Sequence, residues 1–174
     1  MAHLRERAER YYNDGVRQAE EGKHLAATAS FRLALTFDDK NAEYKEAYER
    51  AFAISRDHTA DGFFKRGIFE ESVGRYETAG KLFVRAAEVY PKAAFLSKAA
   101  QAMIWAEDLP KARDYATKAV QADSESADAR VMLARVYLQS GMKKNARREV
   151  DMALKIEPSN LEAKDLKKRM RRAW

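Results

Sequence analysis

Three histidines, His3, His24 and His58, and a scatter of carboxylates are the side chains best suited to acid–base or metal chemistry in this chain. Their spacing does not assemble them. A helical metal pair needs two histidines about one turn apart, and none of the three has such a neighbour. His24 stands where Tyr76 stands in a later copy of the same local pattern, so packing accounts for it. Adjacent acids such as Glu20 and Glu21 are what a solvated helix surface carries anyway. The chain has no Gly-rich phosphate loop and no Ser nucleophile elbow. It also has no Cys, which removes thiol nucleophiles, disulfides and Cys-based metal sites. The residues point to no catalysis, no metal, no cofactor and no small-molecule substrate.

Cationic charge, by contrast, is organised. Lys143 and Arg147, Lys144 and Arg148, Lys164, Lys168 and Arg172, and Lys167 and Arg171 are spaced by four, which lines each set along one helical stripe. Residues 127–174 hold 13 Lys and Arg against 6 Asp and Glu, a net of +7, whereas residues 1–126 carry −1. One reading is a solvated face, since cations near helix C-termini are favoured by the macrodipole. The other is contact with nucleic acid, an anionic membrane surface or an acidic protein. Tyr137 and Trp174 are the only aromatic residues in that stretch, too few for stacking along a single strand.

The elements that must carry these residues follow from a repeated phrase. Gly22, His24, Ala27, Phe31 and Ala34 recur as Gly74, Tyr76, Ala79, Phe83 and Ala86, with looser copies at Ala112, Ala116, Ala119 and at Gly141, Ala146, Val150, Ala153. Gly74 and Gly141 are two units of about 34 residues apart, the period of a helical repeat array. Small and apolar residues fall at spacings of three, four and seven, which places them on one face of a helix. Gly22, Gly74 and Gly141 suit the positive φ that closes a first helix. Gly15 and Gly67 lie mid-helix, where Gly costs roughly 1 kcal/mol against Ala, so close helix–helix approach must justify them. Pro91 and Pro158 stop second helices, and Pro110 follows Asp108 as a first-turn proline behind an N-cap. Gly22 and Gly74 are 52 residues apart, which breaks the phase. The surplus, residues 42–59, puts Tyr44, Ala47, Tyr48, Ala51 and Phe52 on an apolar stripe and is expected to form a helix, either a non-repeat helix that bends the array or packs on a second copy, or a degenerate half-repeat.

These residues resemble the tetratricopeptide repeat family. Residues 127–160 carry Leu133, Ala134, Tyr137, Gly141, Ala146, Ala153 and Pro158, and residues 60–92 carry Phe63, Gly67, Gly74, Tyr76, Ala79, Phe83, Ala86 and Pro91. Residues 8–41 keep Tyr11, Gly15, Gly22, Ala27, Phe31 and Ala34, with Asp39 in the proline place. Residues 93–126 are weakest, keeping Ala99, Ala100, Ala112, Ala116 and Ala119, with Glu107 in place of the helix-ending Gly. The resemblance implies an all-α, right-handed superhelical solenoid of antiparallel helix pairs in one domain, 1–174. Residues 161–174 then form a capping helix with Leu161, Leu166, Met170 and Trp174 near one face.

In the resembling family the first helix of each unit lines a groove that holds a peptide or helix. The matching positions are Tyr12 and Val16, Phe64 and Ile68, Gln101, Ile104 and Trp105, and Val131, Arg135 and Leu138, with Glu9, Ala19, Asp61, Glu71 and Ser97 beside them. An apolar groove rimmed by acids suits an amphipathic peptide with basic flanks. Its alternative is self-packing by residues 42–59. Some family members clamp acidic chaperone tails through Lys, Asn and Arg, but Tyr12, Val16, Ile68, Ser97 and Gln101 occupy those places here. The expected role is an adaptor or scaffold that binds another protein. The alternatives are a chaperone for a secretion or assembly substrate, or an anion binder acting through the basic end. Residues 42–59 also offer a homodimer contact. Met1 to Arg10 lacks the apolar core of a signal peptide and no apolar run approaches the roughly 20 residues that span a bilayer, so a cytoplasmic protein is expected.

Overall fold

Residues 2–172 are described by the structure, a computed structural model; Met1, Ala173 and Trp174, and the side chains of Ala2 and Arg172, lie outside that description. Nine helices and no strand occur among the described residues: α1 (Ala2–Glu20), α2 (His24–Phe37), α3 (Ala42–Ser72), α4 (Tyr76–Val89), α5 (Ala93–Trp105), α6 (Leu109–Ala122), α7 (Ala127–Gln139), α8 (Lys143–Ile156) and α9 (Leu161–Arg172). Their ends follow local chemistry. Gly22, Gly74 and Gly141 adopt φ of 75°, 80° and 72°, and Glu107 makes the same turn at 58°. Each turn is closed by the same pair of backbone bonds, for example Gly74 N to Glu71 O at 3.0 Å and Arg75 N to Glu70 O at 2.9 Å. Side chains cap several starts. Asn41 accepts from Glu43 N, Asp108 from Lys111 N, Ser126 from Ala129 N and Asn160 from Ala163 N. The Lys111 ammonium, and then its backbone N–H, hold the Asp108 carboxyl below the usual carboxylate range.

The chain forms two compact units, Met1–Thr59 and Ala60–Trp174. In unit 1, α1 packs on α2, and Ala27 and Phe31 of α2 meet Ala47 and Ala51 of α3 in one cluster. Ala8, Ala34 and Tyr44 form a second cluster. Gly15 is required by contact: a Cβ there would stand 2.6 Å from the Phe31 ring. The apolar stripe of residues 42–59 is therefore largely consumed within its own unit. Tyr44, Ala47 and Ala51 are buried there, which leaves Phe52, 41% exposed, as the large apolar residue of that stripe facing solvent.

One expectation changes form. Residues 42–59 and the first helix of the repeat beginning at 60 are not separate helices but one uninterrupted α3 of 31 residues. The separation came from repeat phase alone. No Pro or helix-closing turn stands between Ala42 and Ser72, and Gly62 costs too little to break a helix by itself.

Unit 2 stacks antiparallel helix pairs in the manner of an α-α superhelix: α4 on α5, α5 on α6, α6 on α7, α7 on α8 and α8 on α9, with α5 also touching α7. Phe83 is fully buried, worth roughly 1.5–3 kcal/mol. The place of a Gly67 Cβ is 2.6 Å from its ring, so only Gly admits it there. The end of the stack is closed by Ala163, Leu166 and Met170 of α9, packed on Ala127, Val131, Ala134, Ala146, Val150 and Ala153. Leu161 does not share that face. It is 80% exposed, because its position at the first turn projects about 140° away from Leu166 around the helix.

Candidate functional site

Repeat geometry places the first helices of unit 2 side by side, so α5, α7 and the end of α3 each contribute one face to a common concavity. The result is a groove of about 670 Å³. Phe64 and Glu71 reach it from α3, Ser97, Lys98, Gln101 and Trp105 from α5, and Val131, Met132 and Arg135 from α7. Asp123, Ser126 and Asp128 enter from the α6–α7 turn and the start of α7, and Glu162 from α9. Gln101 and Val131 are buried as its floor, at 8% and 2% exposure, while Phe64, Trp105 and Met132 form half-buried walls.

The walls are fixed by aromatic contacts. The Phe64 ring lies 4.8 Å from Phe95 and 5.7 Å from Phe83, and Trp105 lies 5.1 Å from Tyr76. Such ring pairs limit the rotamer freedom of these side chains. Ion pairs tie neighbouring helices at the groove surface. Lys98 Nζ is 2.6 Å from Glu71 and 5.3 Å from the Phe83 ring centroid, and Arg135 is 3.4 Å from Glu162. The Ser97 Oγ is buried and has no hydrogen-bond partner among the described residues.

Of the positions expected from sequence, the structure brings Phe64, Gln101, Trp105, Val131 and Arg135 together. Ile68 is 38% exposed and does not line the cavity. Ile104 and Leu138 pack against the cores of unit 2. Tyr12 and Val16 belong to unit 1, where they line a smaller cavity of about 340 Å³ with Phe31, Ala47 and Ala51. Tyr12 stacks on Tyr44 at 4.7 Å and donates to Glu43 at 2.8 Å. Burial, then that hydrogen bond, push its phenol pKa up, so it stays a donor. In unit 1 the expected groove face is thus partly covered by the chain itself.

Sequence reasoning missed Lys98, Asp123, Asp128, Met132 and Glu162 as groove residues. Ser126 and Asp128 do carry a signal, but it reads as a helix start and an acidic first turn, which is also true. The histidines are less scattered than their numbers suggest, since the His24 and His58 rings meet edge to face at 5.5 Å. No group of three or more metal-ligating side chains gathers among the described residues.

The basic stripes lie on α8 and α9. Lys167 pairs with Asp151 at 2.7 Å and Arg148 with Glu149 at 3.2 Å. Lys143, Lys144, Arg147, Lys164, Lys168 and Arg171 are exposed, and the Arg172 side chain lies outside the described residues. No described helix is long and apolar enough to cross a membrane.

Residues 103–170 match the family model described as tetratricopeptide repeat. No curated protein sequence matches the chain. Among solved structures it is similar to the OM64 TPR domain of Arabidopsis, with a TM-score of 0.62, 20% identity, and coverage of 68% of this chain and 99% of that one. It is similar to the first TPR of Spaghetti (RPAP3) bound to the HSP90 peptide SRMEEVD, with a TM-score of 0.62, 17% identity and coverage of 67% and 94%. YrrB, a TPR protein with an unusual peptide-binding site, aligns over 91% of this chain and 90% of its own, with a TM-score of 0.58 and 18% identity. At these identities the shared property is the fold.

Proposed function

We propose that this chain, whose residues 103–170 match the tetratricopeptide repeat model, is a non-catalytic protein-interaction module, an adaptor that holds a peptide or helix of a partner protein in the groove of unit 2. The observation that carries the reading is the groove itself. Five first-helix positions expected to face a partner converge on one cavity of about 670 Å³ with an apolar wall and a polar rim. The solved Spaghetti domain, which holds an HSP90 peptide, supports peptide capture as a use of this fold. The acidic character of that peptide does not carry over. Ser97 and Gln101 stand where the resembling family carries its carboxylate clamp, and Glu71, Asp123, Asp128 and Glu162 line the same cavity. The self-covered face of unit 1 makes Tyr12 and Val16 weaker candidates for partner contact.

The test is a substitution pair on one helix. Phe64→Ala removes a groove wall and is expected to weaken binding of a selected peptide by about 1–2 kcal/mol. Ile68→Ala, one turn further along and outside the cavity, is expected to leave it within about 0.5 kcal/mol. Isothermal titration of both variants decides the matter. Equal losses, or none for Phe64→Ala, would remove the groove from consideration.

A further inference from the structure

We infer that the groove of unit 2 selects a partner segment in which a Lys or Arg lies close in sequence to a bulky apolar residue. The inference rests on the groove being the binding surface, and it adds to the expected basic flanks the carboxylates that read them and the edge where they do so. Four carboxylates reach the cavity, Glu71, Asp123, Asp128 and Glu162, against two cations, Lys98 and Arg135. Both cations are already engaged, Lys98 with Glu71 at 2.6 Å and Arg135 with Glu162 at 3.4 Å. Asp123 and Asp128 meet no cation among the described residues. Their hydrogen-bond donors are neutral: Glu125 N at 3.0 Å for Asp123, and Asn160 Nδ2 at 3.1 Å for Asp128.

Position deepens the imbalance at Asp123. Asp123 is the C-cap of α6, where the negative end of the helix dipole adds to its charge instead of offsetting it. Asp128 lies in the first turn of α7, where the positive end of the helix dipole offsets part of its charge. Together they make one edge of the groove anionic although the chain as a whole carries +6. At physiological ionic strength charges act over about 8 Å, so these local carboxylates outweigh the distant basic residues for anything seated in the groove. The cavity also has apolar lining, with Phe64, Trp105 and Met132 alongside Val131. The buried Ser97 Oγ supplies an unclaimed hydrogen-bonding group in the same cavity. An apolar side chain on that lining with a cation at the Asp123–Asp128 edge satisfies both surfaces. An acidic peptide satisfies only the apolar lining.

The experiment is selection of the full chain against a displayed random heptapeptide library, followed by titration of the synthesised winners. Winners are expected to combine Lys or Arg with Leu, Ile, Phe or Trp. Replacing that Lys or Arg by Gln, or introducing Asp123→Asn with Asp128→Asn, should weaken them roughly five- to tenfold, the range two partly exposed ion pairs supply. The Asn variants keep the acceptor oxygens used by Glu125 N and Asn160. Circular dichroism melting checks that they fold, with Asp128→Asn alone as the milder variant. Asp128→Lys paired with a Glu-substituted peptide should regain affinity, which an unfolding effect cannot imitate. Acidic winners, or winners lost on Phe64→Ala but indifferent to the Asp substitutions, overturn the charge inference and leave the groove standing. Winners indifferent to both sets of substitutions, or no winners, overturn the groove and the inference together.

Discussion

Gly62 and Gly67 occupy the same helix five residues apart, and the repeat treats them differently. Ala in place of mid-helix Gly is intrinsically favourable by roughly 1 kcal/mol at either position. At Gly62 nothing lies within 4 Å of the added Cβ, so Gly62→Ala is expected to stabilise the protein by about 0.5–1 kcal/mol. At Gly67 the Cβ would stand 2.6 Å from Phe83 Cε1. The Phe83 ring is fully buried and cannot withdraw, and overpacking of this kind costs about 1–3 kcal/mol. The clash outweighs the propensity gain, so Gly67→Ala is expected to lower the urea midpoint where Gly62→Ala raises it. Two shifts of the same sign would show that the ring contact does not control this position. Gly67 was legible in the sequence as an unfavourable residue needing a reason. The identity of the ring that supplies the reason came only with the fold.

The helix-closing turns show where sequence patterns suffice. Four first helices end in the same two-bond turn, three of them with Gly and one with Glu107 at φ 58°. A left-handed conformation costs a non-Gly residue roughly 1–2 kcal/mol. Glu107→Gly is therefore expected to stabilise unit 2 by about 1 kcal/mol, read as a higher denaturant midpoint at unchanged slope. No gain would mean that Glu107 makes a compensating contact. Turns, caps and prolines were readable because each is set by two to four neighbouring residues. The continuity of α3 was not, because repeat phase demanded a boundary that no local residue enforces. Leu161 was placed with Leu166 by its apolar character, although the helical period sets the two on different faces. Asp123 and Asp128 were invisible as groove residues for a related reason. Their local meaning, a helix end and a helix start, was complete, and only stacking of α5, α7 and α9 gives them a second one. His24 and His58 meet by the same kind of long-range packing.

At the scale of the chain, charge is divided, with a net of +7 in residues 127–174 and −1 before them. Within unit 2 this sets an anionic groove edge on the α6–α7 turn apart from the exposed cations of α8 and α9. Two kinds of binding should then be separable by salt. Attraction of a polyanion such as heparin to Lys164, Lys168 and Arg171 works by counterion release and falls steeply between about 50 and 200 mM salt. Peptide binding in the groove is supported by apolar burial at Phe64 and Trp105 and should change far less over that range. Lys164→Gln, Lys168→Gln and Arg171→Gln together are expected to abolish heparin retention at about 100 mM salt while leaving the groove peptide's affinity within about twofold. These residues are exposed and lie opposite the buried face of α9, so the triple variant should fold. Heparin retention that survives both the substitutions and 200 mM salt would point to a built anion site elsewhere. A matching loss of peptide affinity would mean instead that the partner extends from the groove onto α9, making the basic end a second contact for one ligand.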